Sequence, residues 1–279
     1  MEEVQFKFRE WDERIQLGEE FTHDGTDGLY SLFATATATL ISWNEPEMKG
    51  LDAETAKLVV RGAQVGPSTL LGWAECLKAE QGDKRPFEMV NRWLFQKTSR
   101  KLAESKTAKE VAEKAQKFLE EEFKEVPENG LLFVPLIIIG RGLFERDHVV
   151  WVAADRQTEQ LEYYDSKGIA LKTDRKGWVL ANKDLKHRLV TGVLWALMAV
   201  TGYKEVIQNP IRHQFDIHNC GPLGMVYMDE RRGKTFKKFI VRSYDNLITV
   251  RRLMAERMLV AKQSNGGPKT LMDFSLELE

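Results

Sequence analysis

Cys220 and Gly221 close a polar stretch that includes Asp216, His218 and Asn219, and Gln214 stands six positions before the cysteine. Near its free pKa of ~8.5 a thiol is only slightly ionised at neutral pH, so a cysteine enzyme needs an imidazole and a positive local field. A carboxylate must then orient the imidazole. His148 and Asp165, seventeen positions apart, are of the right types. Gln214 can offer its side-chain amide to the oxyanion formed when a thiolate attacks a carbonyl, and loss of such a donor costs roughly 3 kcal/mol in comparable sites. Gly221 lets a carbonyl approach the backbone closely. These are the parts of a thiol nucleophile.

Each part needs an element to hold it. A helix is expected to begin at Cys220–Gly221, with Pro222 tolerated in its first turn and the field of its N-terminus favouring a thiolate. His148 follows the polar turn Glu145-Arg-Asp147 and opens the apolar strand His148–Ala154. Leu161–Asp165 reads as the next strand, joined to it by the polar stretch 155–160. An antiparallel hairpin of the two brings His148 towards Asp165. Asp147 and Asp155 are further candidates for the orienting acid.

Leu131–Ile139 is a buried strand, Asp184–Thr201 a helix, and Lys204–Gln208 a short strand broken by Asn209–Pro210. Ahead of these, residues 1 to 20 alternate (Val4, Phe6, Phe8) as a strand or hairpin would, while 28–43 fits helix and strand equally. Residues 52–61 and 68–80 look helical. The span 86–123 reads as helical in two pieces, the second opened by the capping box Thr107-Ala-Lys-Glu110. Helices are also expected over 233–240 and 243–260, and a mobile tail after Gln263. The organisation expected is a helix-rich region over 1–125, an α+β core over 126–262 and a tail over 263–279. The core has a central, mostly antiparallel sheet flanked by helices.

The bulk numbers narrow the function. With 279 residues, 43% of them hydrophobic, the chain can bury a sizeable core. Lysine plus arginine (41) and aspartate plus glutamate (42) nearly cancel, so neither nucleic acid nor an anionic membrane is an expected partner. The basic stretch from Arg231 to Arg257 reads as a solvated helix face, which could also dock an acidic partner. Two cysteines make no disulfide scaffold and point to a reducing compartment, with Cys76 on an amphipathic helix face as a core residue. The first residues lack the pattern of a signal peptide, and the apolar run Leu131–Gly140 is too short to span a bilayer. A soluble, cytoplasmic chain is expected. His213, His218 and Cys220 match no usual zinc spacing, so no metal and no cofactor is expected. His23 and His187 have no partner legible in the sequence.

The order His…Asp…Gln…Cys-Gly resembles the clan CE cysteine proteases. These include SUMO-specific proteases, adenovirus-type proteases and deubiquitinase effectors of intracellular bacteria. Three segments carry the resemblance: His148-Val-Val-Trp-Val-Ala-Ala-Asp155, Leu161-Glu-Tyr-Tyr-Asp-Ser-Lys-Gly168 and Gln214-Phe-Asp-Ile-His-Asn-Cys-Gly221. Phe133-Val-Pro135 matches the strand that leads to the histidine, and the whole covers about residues 130 to 260. Papain-type enzymes, where the cysteine comes first, are excluded by the order.

The resemblance implies a ubiquitin-like-protease core. His148 would be the general base, Asp165 its orienting acid, Cys220 the nucleophile and Gln214 the oxyanion donor. Ubiquitin or a ubiquitin-like modifier, cleaved after its terminal Gly-Gly, would be the partner, and delivery into a host cell is what the effector branch implies. Three departures stand out. Val149 occupies the position where the family usually carries tryptophan, with Trp151 two positions on and on the same sheet face; Trp73 or Trp93 are other candidates for an aromatic wall. Asn219 stands where aspartate often precedes the cysteine and keeps a hydrogen-bonding side chain. Residues 1–125 do not match the family's usual N-terminal half.

Three functions therefore compete. The first is a cysteine isopeptidase that removes a modifier from substrate lysines. The second is an acetyl-CoA-dependent protein acetyltransferase using the same residues, suggested by Val149 and the basic C-terminal helices. The third is a modifier-binding module without catalysis.

Overall fold

A computed structural model of the chain describes residues 4–10, 67–79, 83–90, 96–139, 147–168, 171–209, 212–214 and 219–233. These fall into two compact units. The first holds a six-stranded sheet: β1 (Phe8–Glu10), β2 (Phe87–Met89), β3 (Leu131–Ile138), β4 (His148–Asp155), β5 (Gln160–Tyr164) and β6 (Glu205–Gln208). The second holds α1 (Pro67–Ala79) and the greater part of α5 (Cys220–Arg231), whose last two residues belong to the first unit. The helices α2 (Gln96–Ala103), α3 (Ala108–Lys124) and α4 (Leu185–Thr201) complete the first unit.

The sheet runs in the order β1-β6-β5-β4-β3-β2. Its two central junctions, β3 with β4 and β4 with β5, are antiparallel; the three outer ones are parallel and shorter. The expected α+β core with a β4–β5 hairpin is present. β3 and β4 are nearly continuous apolar runs because both of their faces are buried. Pro135 is tolerated inside β3 because β2 pairs only with Leu131–Phe133, so the missing N–H falls where β4 is the one described neighbour.

One face of the sheet is covered by α3 and α4. Val111, Ala112, Ala115, Leu119 and Phe123 of α3, with Leu189, Val190, Val193, Leu194 and Leu197 of α4, pack on Leu132, Val134, Val150, Val152, Leu161 and Val206. Gly192 lets the two helices approach closely. A Cβ placed there would lie 2.5 Å from Val111 Cβ and 2.6 Å from the Ala108 carbonyl oxygen. Both helices start on the caps their sequences specify. Thr107 Oγ1 accepts the Glu110 N–H at 3.2 Å, and the Glu110 carboxylate reaches back to the Lys106 N–H at 2.8 Å, one residue beyond the reciprocal partner of a standard capping box. Asp184 Oδ1 caps α4 through the His187 N–H at 2.9 Å, and Gly202, at φ 78°, ends it in the left-handed conformation.

The helical reading of 86–123 is corrected in part. α2 and α3 are its two helical pieces, but Phe87–Met89 is an edge strand, because pairing with β3 buries Phe87 and Met89. Within the expected N-terminal region, β1, β2, α2 and α3 all belong to the unit that contains the sheet. The readings over 28–43, 52–61, 233–260 and the tail lie outside the described residues or nearly so. Among the described residues no helix is long and apolar enough to cross a membrane.

Candidate active site

The antiparallel register pairs Trp151 of β4 with Tyr164 of β5. His148 opens β4 and Asp165 directly follows β5, so the two lie at the same end of the hairpin. Their side chains meet: His148 Nε2 is 2.8 Å from Asp165 Oδ1. The carboxylate is 2% exposed and the imidazole 12%. An ionised carboxylate can only accept, so Nε2 carries the proton and Nδ1 is left as the basic nitrogen.

Asp165 is held from every side. Lys167 N–H donates to Oδ1 at 2.9 Å; Lys186 Nζ and Tyr163 Oη donate to Oδ2 at 3.0 and 3.3 Å. Asn209 clasps its backbone, accepting the Asp165 N–H at 2.8 Å and donating to its carbonyl at 2.9 Å. Burial opposes ionisation, but the hydrogen bond and charge of His148, the charge of Lys186 and the Lys167 N–H outweigh it, holding the carboxyl well below the usual carboxylate range. Burial and the Asp165 charge push the Tyr163 and Tyr164 phenols well up, so both stay neutral.

The other candidate acids are placed differently. Asp155 sits at the far end of β4, where Arg85 and Arg231 both bind its carboxylate, and Arg231 also pairs with Glu162 in a two-pronged contact. All four charges of that network are buried. Burial works against the Asp155 anion, and the two guanidiniums reverse it, so its carboxyl is held low. Asp147 immediately precedes β4.

Gln214, Asn219, Cys220 and Gly221 belong to the second unit. Cys220 is the first residue of α5, and the Asn219 carbonyl accepts the Leu223 N–H at 3.0 Å, the first bond of the helix. The cysteine therefore stands among the N–H groups that a helix start leaves without intrahelical partners. Gln214, Asn219 and Cys220 are all buried. So is His213, which burial pushes down to about 3 and keeps neutral. On α1, Cys76 is a buried core residue and Trp73 Nε1 donates to the Met225 carbonyl at 2.9 Å. His218 and Trp93 lie outside the described residues. Trp151 is fully buried, and Val149 shares its sheet face. Among the described residues no cluster of His, Cys, Asp or Glu could hold a metal ion.

Lys186, Asn209, Tyr163 and the Lys167 N–H were not anticipated as part of this site. Asn209 carried a signal read only as a strand breaker, and Tyr163 and Lys167 lie within the segment 161–168 that carries the resemblance, two positions either side of Asp165. Lys186 carried none, because it reaches Asp165 through tertiary placement.

No family model matches the chain, and no curated protein matches it in sequence. Solved structures do. The C-terminal domain of the Ulp1 protease in complex with Smt3, the yeast ortholog of SUMO, is similar at 11% identity with a TM-score of 0.49, over 86% of this chain and 96% of that one. The Legionella pneumophila effector RavZ is similar at 13% identity and a TM-score of 0.42, over 76% and 72%. The ASFV protease pS273R is similar at 16% identity and 0.35, over 88% and 94%. Likenesses of this size transfer no residue's role, so function rests on the site's own chemistry.

Proposed function

We propose that the chain is a cysteine isopeptidase that removes ubiquitin or a ubiquitin-like modifier from substrate lysines. The observation that carries the proposal is the 2.8 Å contact of His148 Nε2 with a buried, ionised Asp165, which leaves Nδ1 to act as base. Cys220 at the start of α5 supplies the thiol.

In this reading His148 Nδ1 takes the Cys220 proton, and the thiolate adds to the carbonyl of the modifier's terminal glycine. The Gln214 amide and the Cys220 N–H hold the oxyanion. As the C–N bond breaks, the His148 imidazolium gives its proton to the departing lysine amine, leaving a thioester. His148 then takes a proton from water, the resulting hydroxide adds to the thioester, and the thiolate leaves and recovers its proton. Asn219 and Gly221 flank the nucleophile and shape the approach of the Gly-Gly tail. The acetyl-transfer alternative drew on Val149, which lies in β4, and on basic helices that fall almost wholly outside the described residues.

A panel of modifiers carrying a propargyl group at the C-terminus tests the proposal. At least one should label the wild type covalently and spare Cys220→Ala. Labelling that persists in Cys220→Ala would overturn it.

A further inference from the structure

The carboxylate that orients His148 is shared with a lysine. Lys186, the second residue of α4, places Nζ 3.0 Å from Asp165 Oδ2 while His148 Nε2 holds Oδ1 at 2.8 Å. The Lys186 side chain is only 18% exposed and that of Asp165 2%. The two contacts use opposite oxygens, so together they fix the rotation of the carboxylate and aim Oδ1 at the imidazole.

The remaining charged and titratable groups nearby do not match this arrangement. Tyr163 and Tyr164 of β5 stay neutral. Lys167 reaches Asp165 through its backbone N–H. Asp184 is engaged as the cap of α4, and His187 beside it is held towards its neutral form, chiefly by burial. Asp147 adjoins His148 in the chain. The buried charge of Asp165 is therefore already opposed by one cation before His148 takes a proton.

We infer that Lys186 is a positioning residue that offsets the Asp165 charge felt by His148 and so sets the pH range in which His148 serves as the unprotonated base. The inference rests on the reading of His148 as the general base. With a lone carboxylate, a proton on the imidazole would neutralise the pair. With Lys186 present the same proton brings a second cation to a carboxylate that one cation already opposes, which is less favourable. The imidazolium is then a stronger acid, better suited to protonating a leaving amine.

The test follows the ring protons of His148 by NMR in the full chain carrying Cys220→Ala, with His148 assigned by the signal lost in His148→Gln. Lys186→Met should raise its titration midpoint by about one pH unit. Lys186→Gln, which keeps a donor to Oδ2 without the charge, should raise it equally, and Lys186→Arg should leave it near the wild-type value. A midpoint unmoved in both uncharged variants overturns the inference. Failure of the isopeptidase reading shows elsewhere: iodoacetamide would then alkylate Cys220 equally fast with and without His148→Gln, while His148 still answered to Lys186.

Discussion

Asn209 grips Asp165 by its backbone, accepting the N–H on Oδ1 and donating from Nδ2 to the carbonyl, at 2.8 and 2.9 Å. Both residues are buried, one directly after β5 and the other directly after β6. The Asp165 carbonyl has a second donor in the Gly168 N–H at 2.8 Å, so the N–H is the group most dependent on Asn209.

Asn209→Ala should accordingly cost about 1–3 kcal/mol in urea unfolding, the penalty of a buried group left unsatisfied. If Asp165 orients the base, kcat/KM should also fall by about tenfold to a hundredfold, because small misplacements of catalytic groups are costly. Asn209→Asp keeps the size, loses the donor and adds a like charge, and should do no better. An unchanged kcat/KM in both variants would show that the carboxylate is held by its other partners alone.

Acid should weaken the fold before any carboxylate titrates. Burial pushes His213 down to about 3 and lowers His187, whereas an unfolded histidine takes its proton near ~6.5. A lowered histidine stabilises fully above the unfolded value and loses that contribution as pH falls through it towards the folded one. For His213 the loss is about 2 kcal/mol between pH 7 and pH 5. Asp165 and Asp155, held low, lose their contributions only below about pH 4. Urea midpoints at the two pH values should differ accordingly, and His213→Gln should remove most of the difference. A wild-type midpoint that does not fall by pH 5 contradicts this.

Arg231 is expected to matter more than a surface arginine. Removing it by Arg231→Met leaves Glu162 buried without the guanidinium and strips one of two cations from Asp155. The expected loss is about 3–5 kcal/mol, with partial recovery in the Arg231→Met, Glu162→Met double variant. Denaturant titration of the three proteins reads this directly.

Gly192→Ala tests the contact of α3 with α4. The added methyl would meet a backbone carbonyl and a β-branched Cβ, neither of which can rotate away. A loss of about 1–3 kcal/mol is expected, seen as a lowered Tm. A Tm equal to the wild type would mean that the helices separate at little cost.

The parts of this fold that announce themselves in the sequence have local causes. Thr107 and Glu110 cap α3, Asp184 caps α4, and the apolar runs at 131 and 148 are long enough to be strands. The hairpin that joins His148 to Asp165 needed only two strands and a polar turn between them. β2 was hidden because Phe87–Met89 is a strand solely by virtue of its partner β3. The Arg85–Asp155–Arg231–Glu162 network was hidden for a like reason, since its members lie up to 146 positions apart in the chain, as Arg85 and Arg231 show. Lys186 and Asn209 read locally as a helix residue and a strand breaker, and only the fold turns both towards Asp165.

The pairings of the sheet set a schedule for folding. β1 pairs with β6, Phe8 beside Val206, so roughly two hundred residues must be looped out before the first strand finds its neighbour, the kind of distant parallel pairing that slows folding. The hairpin of β4 with β5 closes across a short turn and can form early. During synthesis β1 emerges long before its partner β6, and until that partner arrives it presents an unpaired edge to any chain nearby.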